Sequence, residues 1–354
     1  MQHKRCRRGW SFRGGLAMAA CVAPMALMLA CCSSPSPKAT GLSPGRGVVA
    51  IASAQSPAGL PTVADAIAAH NQRVADLSRM RTPVTLVIDA PDPSDDNPDR
   101  RRRDQLEGNL QLIQPANVSL RIDKVSQTLF VLGSNQQRYW WVEFTDPRRA
   151  FVGDMAQATP AKVARFGLAL HPLDLLELAA ITPLLPTARG GWDASRKDIT
   201  QAGGLLRVRD RLISAAFASE AEGTGGWGWR EVLIDPATLQ PRAVWLLSPD
   251  GQPIAWSELD QYVEVPVDGK GQSAARIASR IRAIVWTERG EDRIEMSLSQ
   301  PENAGNRIRT GQFDLDRVLD TYEVSEVIDI DALLAREAID GQRSSNLSRF
   351  NLDD

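Results

Sequence analysis

The chain has 354 residues, enough for one large β domain or two smaller ones, and at 43% hydrophobic and 24% charged it has an ordinary globular balance. That balance excludes a chain disordered throughout, and no long apolar run marks an internal membrane span. All four cysteines, Cys6, Cys21, Cys31 and Cys32, lie in the first 32 residues, so the rest of the chain has no disulfide, thiol nucleophile or cysteine–metal site.

Lys4, Arg5, Arg7, Arg8 and Arg13 precede an apolar run from Leu16 to Leu29. The run is shorter than the ~20 residues of a transmembrane helix, and the order reads as a signal peptide over residues 1–30. Taking those five from the 41 basic residues, against 43 acidic ones, leaves a mature charge of −7. That excess argues against a nucleic-acid partner, which calls for a basic face. The run closes with Leu29-Ala30-Cys31-Cys32, which resembles the lipobox of bacterial lipoproteins. The resemblance implies acylation at Cys31, with Cys32 as the alternative. It also implies a membrane anchor in the bacterial cell envelope, facing the periplasm. A plain secretory signal with an incidental cysteine pair is the competing reading. Residues 31–61, rich in Ser, Pro, Gly and Ala, read as the acylated cysteine and a flexible linker.

Thr62 to Met80 is predicted to be an amphipathic helix. Thr62 and Asp65 form a capping-box pattern, and Val63, Ile67, Val74 and Leu77 share one stripe with His70 on or near it. Thr82 to Asp89 is a β-branched strand, followed by a predicted solvent loop over Ala90 to Asp104 with an arginine run at 100–103. Gln105 to Phe144 reads as a meander of three or four antiparallel strands. Val118, Leu120 and Ile122 alternate with polar residues, so they share a face. Leu129 to Leu132 are apolar without a break, which predicts a strand covered on both faces. Gly133, Ser134 and Asn135 are expected to turn the chain into an aromatic strand, Tyr139 to Phe144. Ala158 to Leu185 is the most apolar stretch of the mature chain and is predicted to be helical and buried.

A weaker strand is expected around Leu205 to Val208, and the Gly-rich 222–228 stretch is no phosphate loop, because a strand follows it. A second meander takes in 229–235, 242–248 and 253–265, with a tight turn at Pro249-Asp250-Gly251. Ala275 to Thr287 fits either period; strand is preferred because 289–292 then makes a hairpin into 293–299. Asp329 to Ala338 is expected as a short helix, and residues 341–354 as a disordered tail.

Sites of catalysis are not legible. His70 and His171 are the mature chain's only histidines and sit in no metal-spacing cluster. No G-x-S-x-G elbow occurs, and the acidic pairs Asp95-Asp96 and Glu291-Asp292 fall in predicted turns. No enzymatic activity, metal or cofactor is therefore expected.

Helix, meander, helices, second meander is the element order of the LolA/LolB-like lipoprotein-carrier superfamily. The resemblance rests on Gly108-Asn109-Leu110 leading to Gln114-Pro115-Ala116-Asn117, on Phe130 to Asn135 leading to Tyr139-Trp140-Trp141, and on Ile234 to Pro241 followed by Asp250-Gly251. It covers roughly residues 62–300. It implies an α+β fold over residues 62–340: a curved antiparallel sheet, or incomplete β-barrel, with helices packed at its concave side. It also implies an apolar cavity that takes acyl chains of a lipid or lipoprotein. Expected cavity-facing residues are Leu110, Leu120, Ile122, Phe130, Leu132, Trp140, Val142, Trp245 and Trp256. The alternative is a structural or interaction lipoprotein with a filled core and an envelope protein partner, and a glycan-acting enzyme comes third.

Overall fold

In the computed structural model the described residues are 61–92, 97, 99–125, 127–163, 166, 170–184, 193–197, 204–211, 228–266, 275–287, 289–333 and 335–336. The expectations for the signal peptide, Cys31, Cys32, the linker, the Gly-rich stretch before Gly228 and the 341–354 tail lie outside them.

The first helix, α1, runs Val63–Asp76 behind a Thr62 N-cap whose capping box with Asp65 is fully formed. The first meander comprises β1 Arg79–Pro91, β2 Arg101–Ile113, β3 Asn117–Lys124, β4 Gln127–Ser134, β5 Arg138–Glu143 and β6 Arg149–Asp154. Two short helices follow, α2 Pro160–Val163 and α3 Pro172–Leu178. The second meander comprises β7 Asp193–Lys197, β8 Leu205–Arg211, β9 Trp229–Ile234, β10 Pro241–Leu247, β11 Pro253–Val265, β12 Ala275–Thr287 and β13 Gly290–Leu298. The two-residue β14 Glu302–Asn303, then α4 Leu315–Thr321 and β15 Glu326–Asp329, close the described fold.

All strands belong to one sheet in the order β15-β6-β5-β4-β3-β2-β1-β13-β12-β11-β10-β9-β8-β7, with β14 added on β1. The two ends of that path do not pair, so the sheet is open. Its pairings are antiparallel except β15, which lies parallel to β6. Helix α3 touches β3 and β4 on one side and β10 and β11 on the other. Along the sheet β3 and β11 are five strand spacings apart, roughly 24 Å if the sheet were flat. A helix is only about 10 Å across. The sheet must therefore bend around α3, and the incomplete barrel implied by the resemblance is the fold observed.

The turns follow local chemistry. Gly251 has φ +80° and donates its N–H to the Ser248 carbonyl at 2.9 Å, closing the turn that Pro249 opens. The 275–287 stretch is a strand, with its predicted hairpin into β13. Both faces of β4 are covered: Phe130 and Leu132 enter the main core, and Val131 joins a second core on the convex side. That second core contains Val142, Ala150, Val152 and Val318 of α4.

Three expectations are corrected. The 90–104 loop is shorter, because β2 begins at Arg101 and pairs with β1 as far as Pro91. Two of its charges are paired between neighbouring strands: Arg101 Nε lies 2.6 Å from Asp89 Oδ1, and Lys124 Nζ lies 2.9 Å from Asp104 Oδ1. Gly133 and Ser134 belong to β4, not to the turn. Gly133 is needed there because a Cβ would fall 2.6 Å from the Trp140 ring. The turn is made instead by Asn135, whose Oδ1 accepts from the backbone N–H of Gln137 and Arg138, each at 2.8 Å. The helix expected at Asp329 starts at Ile330. Asp329 ends β15, and its Oδ1 accepts from Ala332 N at 3.0 Å.

Candidate functional site

The concave face is lined by apolar residues of parity fixed by the ladder register. Leu110, Leu120, Ile122, Phe130 and Leu132 stand there, none more than 7% exposed, beside Val208, Val232, Ile234, Val244 and Leu246. Against them lies a plug formed by α3 and the chain after it. Residues 171–182 are all buried, and so is Leu184. His171 caps α3: its Nδ1 accepts from Leu173 N at 3.2 Å, and its own N–H donates to Asp174 Oδ2 at 2.9 Å.

Helical pieces begin at Pro160 and Pro172 as expected, but α3 ends at Leu178, which corrects the expectation that the helix continues through Ile181. Ala180 takes φ +52°, and the chain leaves the helix there. A buried irregular segment must find partners for its backbone carbonyls. Here each partner is a side chain. Ser257 Oγ donates to Leu178 O at 2.6 Å. Arg73 Nη2 donates to Ala180 O at 2.8 Å, and Gln114 Nε2 donates to Ile181 O. His70 Nε2 donates to Thr182 O at 2.9 Å, Arg230 Nη2 to Pro183 O at 2.7 Å, and Asn71 Nδ2 to Leu184 O at 3.0 Å. Asn71 Oδ1 also accepts from Leu184 N at 2.8 Å. Residues of α1, β9, β11 and the end of β2 therefore bind the carbonyls of one segment whose apolar side chains pack into the main core.

Arg230 is the centre of this latch. It is fully buried, as are Asp210 and Glu177. Its Nε lies 2.9 Å from Asp210 Oδ1, its Nη2 also bonds Asp210 Oδ2, and its Nη1 bonds Thr182 Oγ1. Glu177 Oε1 is 3.9 Å away. Burial works against its charge, but Asp210 and then Glu177 hold its pKa above the ordinary arginine value. His70 is locked as a neutral ring. A carbonyl only accepts, so Nε2 carries the proton toward Thr182, and Nδ1 accepts from Arg73 Nη2 at 2.9 Å. Burial, then the Arg73 charge, push its pKa well below the usual histidine range. Burial pushes His171 down to about 3.

Five of the nine predicted cavity residues come together here, and four do not. Trp140 and Val142 point to the convex core, because Tyr139 and Trp141 take the concave positions of β5. Trp141 stacks on Phe130 at 4.1 Å between centroids, with Phe166 at 5.9 Å on it. An aromatic run fills both faces, so residue type alone does not fix its parity. Trp245 and Trp256 also face away from the plug, opposite Val244, Leu246 and Ala255. On the convex side Trp245 stacks on Trp286 at 6.1 Å between centroids and lies tilted against Trp256 at 5.9 Å. Of the latch residues only His70 was singled out from sequence, as part of the helix stripe, although one signal was present for the ion pair. Arg230 shares strand parity with Val232 and Ile234, and Asp210 with Leu206 and Val208, so both are polar residues placed in an apolar row.

No family model matches the sequence, and no curated protein matches it. Among solved structures, a LolA superfamily protein from Nitrosomonas europaea is similar at 10% identity and a TM-score of 0.43, over 71% of this chain and 98% of that one. A domain named for outer membrane lipoprotein sorting, from Vibrio parahaemolyticus, is similar at 10% identity and a TM-score of 0.44, over 72% and 97%. A DUF1329 family protein from Desulfovibrio piger is similar at 8% identity and a TM-score of 0.46, over 72% and 98%. At these identities the likeness is one of fold.

Proposed function

We propose that this chain is a bacterial envelope lipoprotein, anchored through an acylated Cys31, whose sheet carries a lipid or lipoprotein acyl chain on its concave face in place of the plug. The observation that carries this reading is the latch. The face behind the plug is apolar, whereas the segment closing it is fastened by side-chain hydrogen bonds to successive carbonyls. A set of hydrogen bonds around one buried ion pair lets go together, which suits a two-state closure.

The energetics allow exchange. Burying about 14 methylenes yields roughly 11 kcal/mol gross at ~0.8 each. Association costs of about 4–15 kcal/mol offset much of that. The plug leucines and the acyl chain compete for one apolar surface, so neither state wins by a wide margin, and a membrane can reclaim the lipid.

The second reading, a structural or interaction lipoprotein with a filled core, is favoured by the continuous burial of residues 171–182. Native mass spectrometry of the full chain, released from an exchangeable detergent, separates the two. The carrier reading expects a population heavier by one acyl lipid beyond the covalent anchor, removable by delipidation and restored by adding lipid. A single bare mass under every lipid condition would establish the filled core instead.

A further inference from the structure

The convex face carries a cleft that the acyl-chain reading does not use. It lies between β2, β3 and β4 and helix α4, with a volume of about 440 Å³, within the range of small-ligand sites. Asn109, Gln111, Ser119, Gln312 and Thr321 line it with amide and hydroxyl groups, and Arg121 and Arg317 with two guanidinium groups. Val131, Val318 and the Tyr322 ring supply a small apolar wall. No carboxylate stands among the lining residues.

The two arginines differ in their surroundings. Arg121 is oriented by Asp123, whose Oδ2 is 2.9 Å from Nη2. Arg317 sits in the first turn of α4, where its backbone N–H reaches the Asp314 cap at 3.0 Å, and its guanidinium makes no ion pair among the described residues. Asn109 Oδ1 is shielded from solvent without a hydrogen-bond partner among them. A buried acceptor of this kind calls for a donor from water or a ligand.

The geometry points to a binding site for an anionic saccharide: an oxyanion held by Arg317 and Arg121, with sugar hydroxyls donating to Asn109 and exchanging hydrogen bonds with Gln111, Gln312 and Ser119. Guanidinium groups match carboxylate and phosphate oxygens in two-pronged geometry. The surrounding amides and hydroxyls match a polyol, and the apolar wall is too small for an acyl chain. The site lies on the face of the sheet away from the plug, so its failure leaves the carrier reading untouched, and the reverse also holds.

Saturation-transfer difference NMR on the full chain in detergent tests this, with glucuronate, glucose and inorganic phosphate as probes. Glucuronate is expected to give saturable transfer and glucose a weaker signal. Arg317→Gln is expected to weaken glucuronate about tenfold or more, the size of a lost charge-assisted hydrogen bond. Arg121→Gln should act the same way, and Arg317→Lys should recover part of the loss, with unchanged thermal melting as the folding control. No transfer from glucuronate, or transfer indifferent to both arginine variants, would overturn the site. Phosphate displacing glucuronate at equal concentration would overturn the saccharide and leave a bare oxyanion pocket.

Discussion

Replacing Arg230 with Met unlatches the plug and is expected to destabilise the protein by about 3–5 kcal/mol, the usual result of removing one partner from a buried ion pair. The variant removes the Arg230 cation from beside the buried Asp210 and Glu177 and strips donors from the Thr182 hydroxyl and the Pro183 carbonyl. At roughly 2–4 °C per kcal/mol for a large domain, melting falls by on the order of 10 °C. Arg230→Lys recovers little, because an ammonium cannot reach Asp210 in two-pronged fashion and still serve both Thr182 and Pro183. The triple variant Arg230→Met, Asp210→Leu, Glu177→Met removes the buried charges together and is expected to regain most of the loss. Differential scanning calorimetry reads all three. A single Arg230→Met change costing under about 1 kcal/mol would show that the latch bears no weight.

Acidification from pH 7 to pH 5 is expected to cost about 2 kcal/mol through His171, with a further loss of the same sign through His70, each binding a proton in the unfolded chain that it refuses in the folded one. Folding lowers the pKa of His70 well below, and of His171 to about 3 from, an ordinary value of 6.5. The unfolded state therefore binds more protons below that value. This contribution to stability is complete above about pH 6.5 and is lost as pH falls, at ~1.4 kcal/mol per unit for each ring. Protonating His70 would set its Nδ1–H against Arg73, with Arg230 also near; His171 packs against Tyr139 and Asp174. Glu143 and Asp292, raised by burial, act in the opposite sense. His70→Gln keeps a donor for Thr182 and an acceptor for Arg73, and His171→Asn keeps a helix cap. Each is expected to reduce the pH 7 to 5 loss in urea titrations. An unchanged slope in both variants would assign the dependence elsewhere.

The strands were legible wherever one row of residues was apolar and its neighbours polar. Val118, Leu120 and Ile122 announced β3, and the Thr62–Asp65 box announced the start of α1. The choice of strand for 275–287 came from its hairpin partner, not from its own period. Parity failed where both faces were apolar or aromatic. Trp140 and Trp141 are equally greasy, and only the three-dimensional partners, Val318 outside and Phe166 inside, decide between them. Helix α4 has seven residues, too few for a periodic signal, so the convex core and its cleft were not visible from sequence. The latch was hidden for a different reason. Its members come from positions as far apart as Asn71 and Arg230, and they converge on carbonyls, which carry no sequence identity.

Hydrogen exchange of the plug amides, with and without a bound palmitoyl lipid, is the most direct test of the exchange between plug and acyl chain. In the lipid-free protein the amides of Ala179, Ala180, Ile181 and Leu184 are bonded and should be protected. Lipid loading is expected to speed their exchange by about tenfold or more while the β12–β13 amides stay unchanged, a shift of at least ~1.4 kcal/mol in local opening. Plug amides that remain as protected in the lipid-bound chain as in the free one would contradict the account.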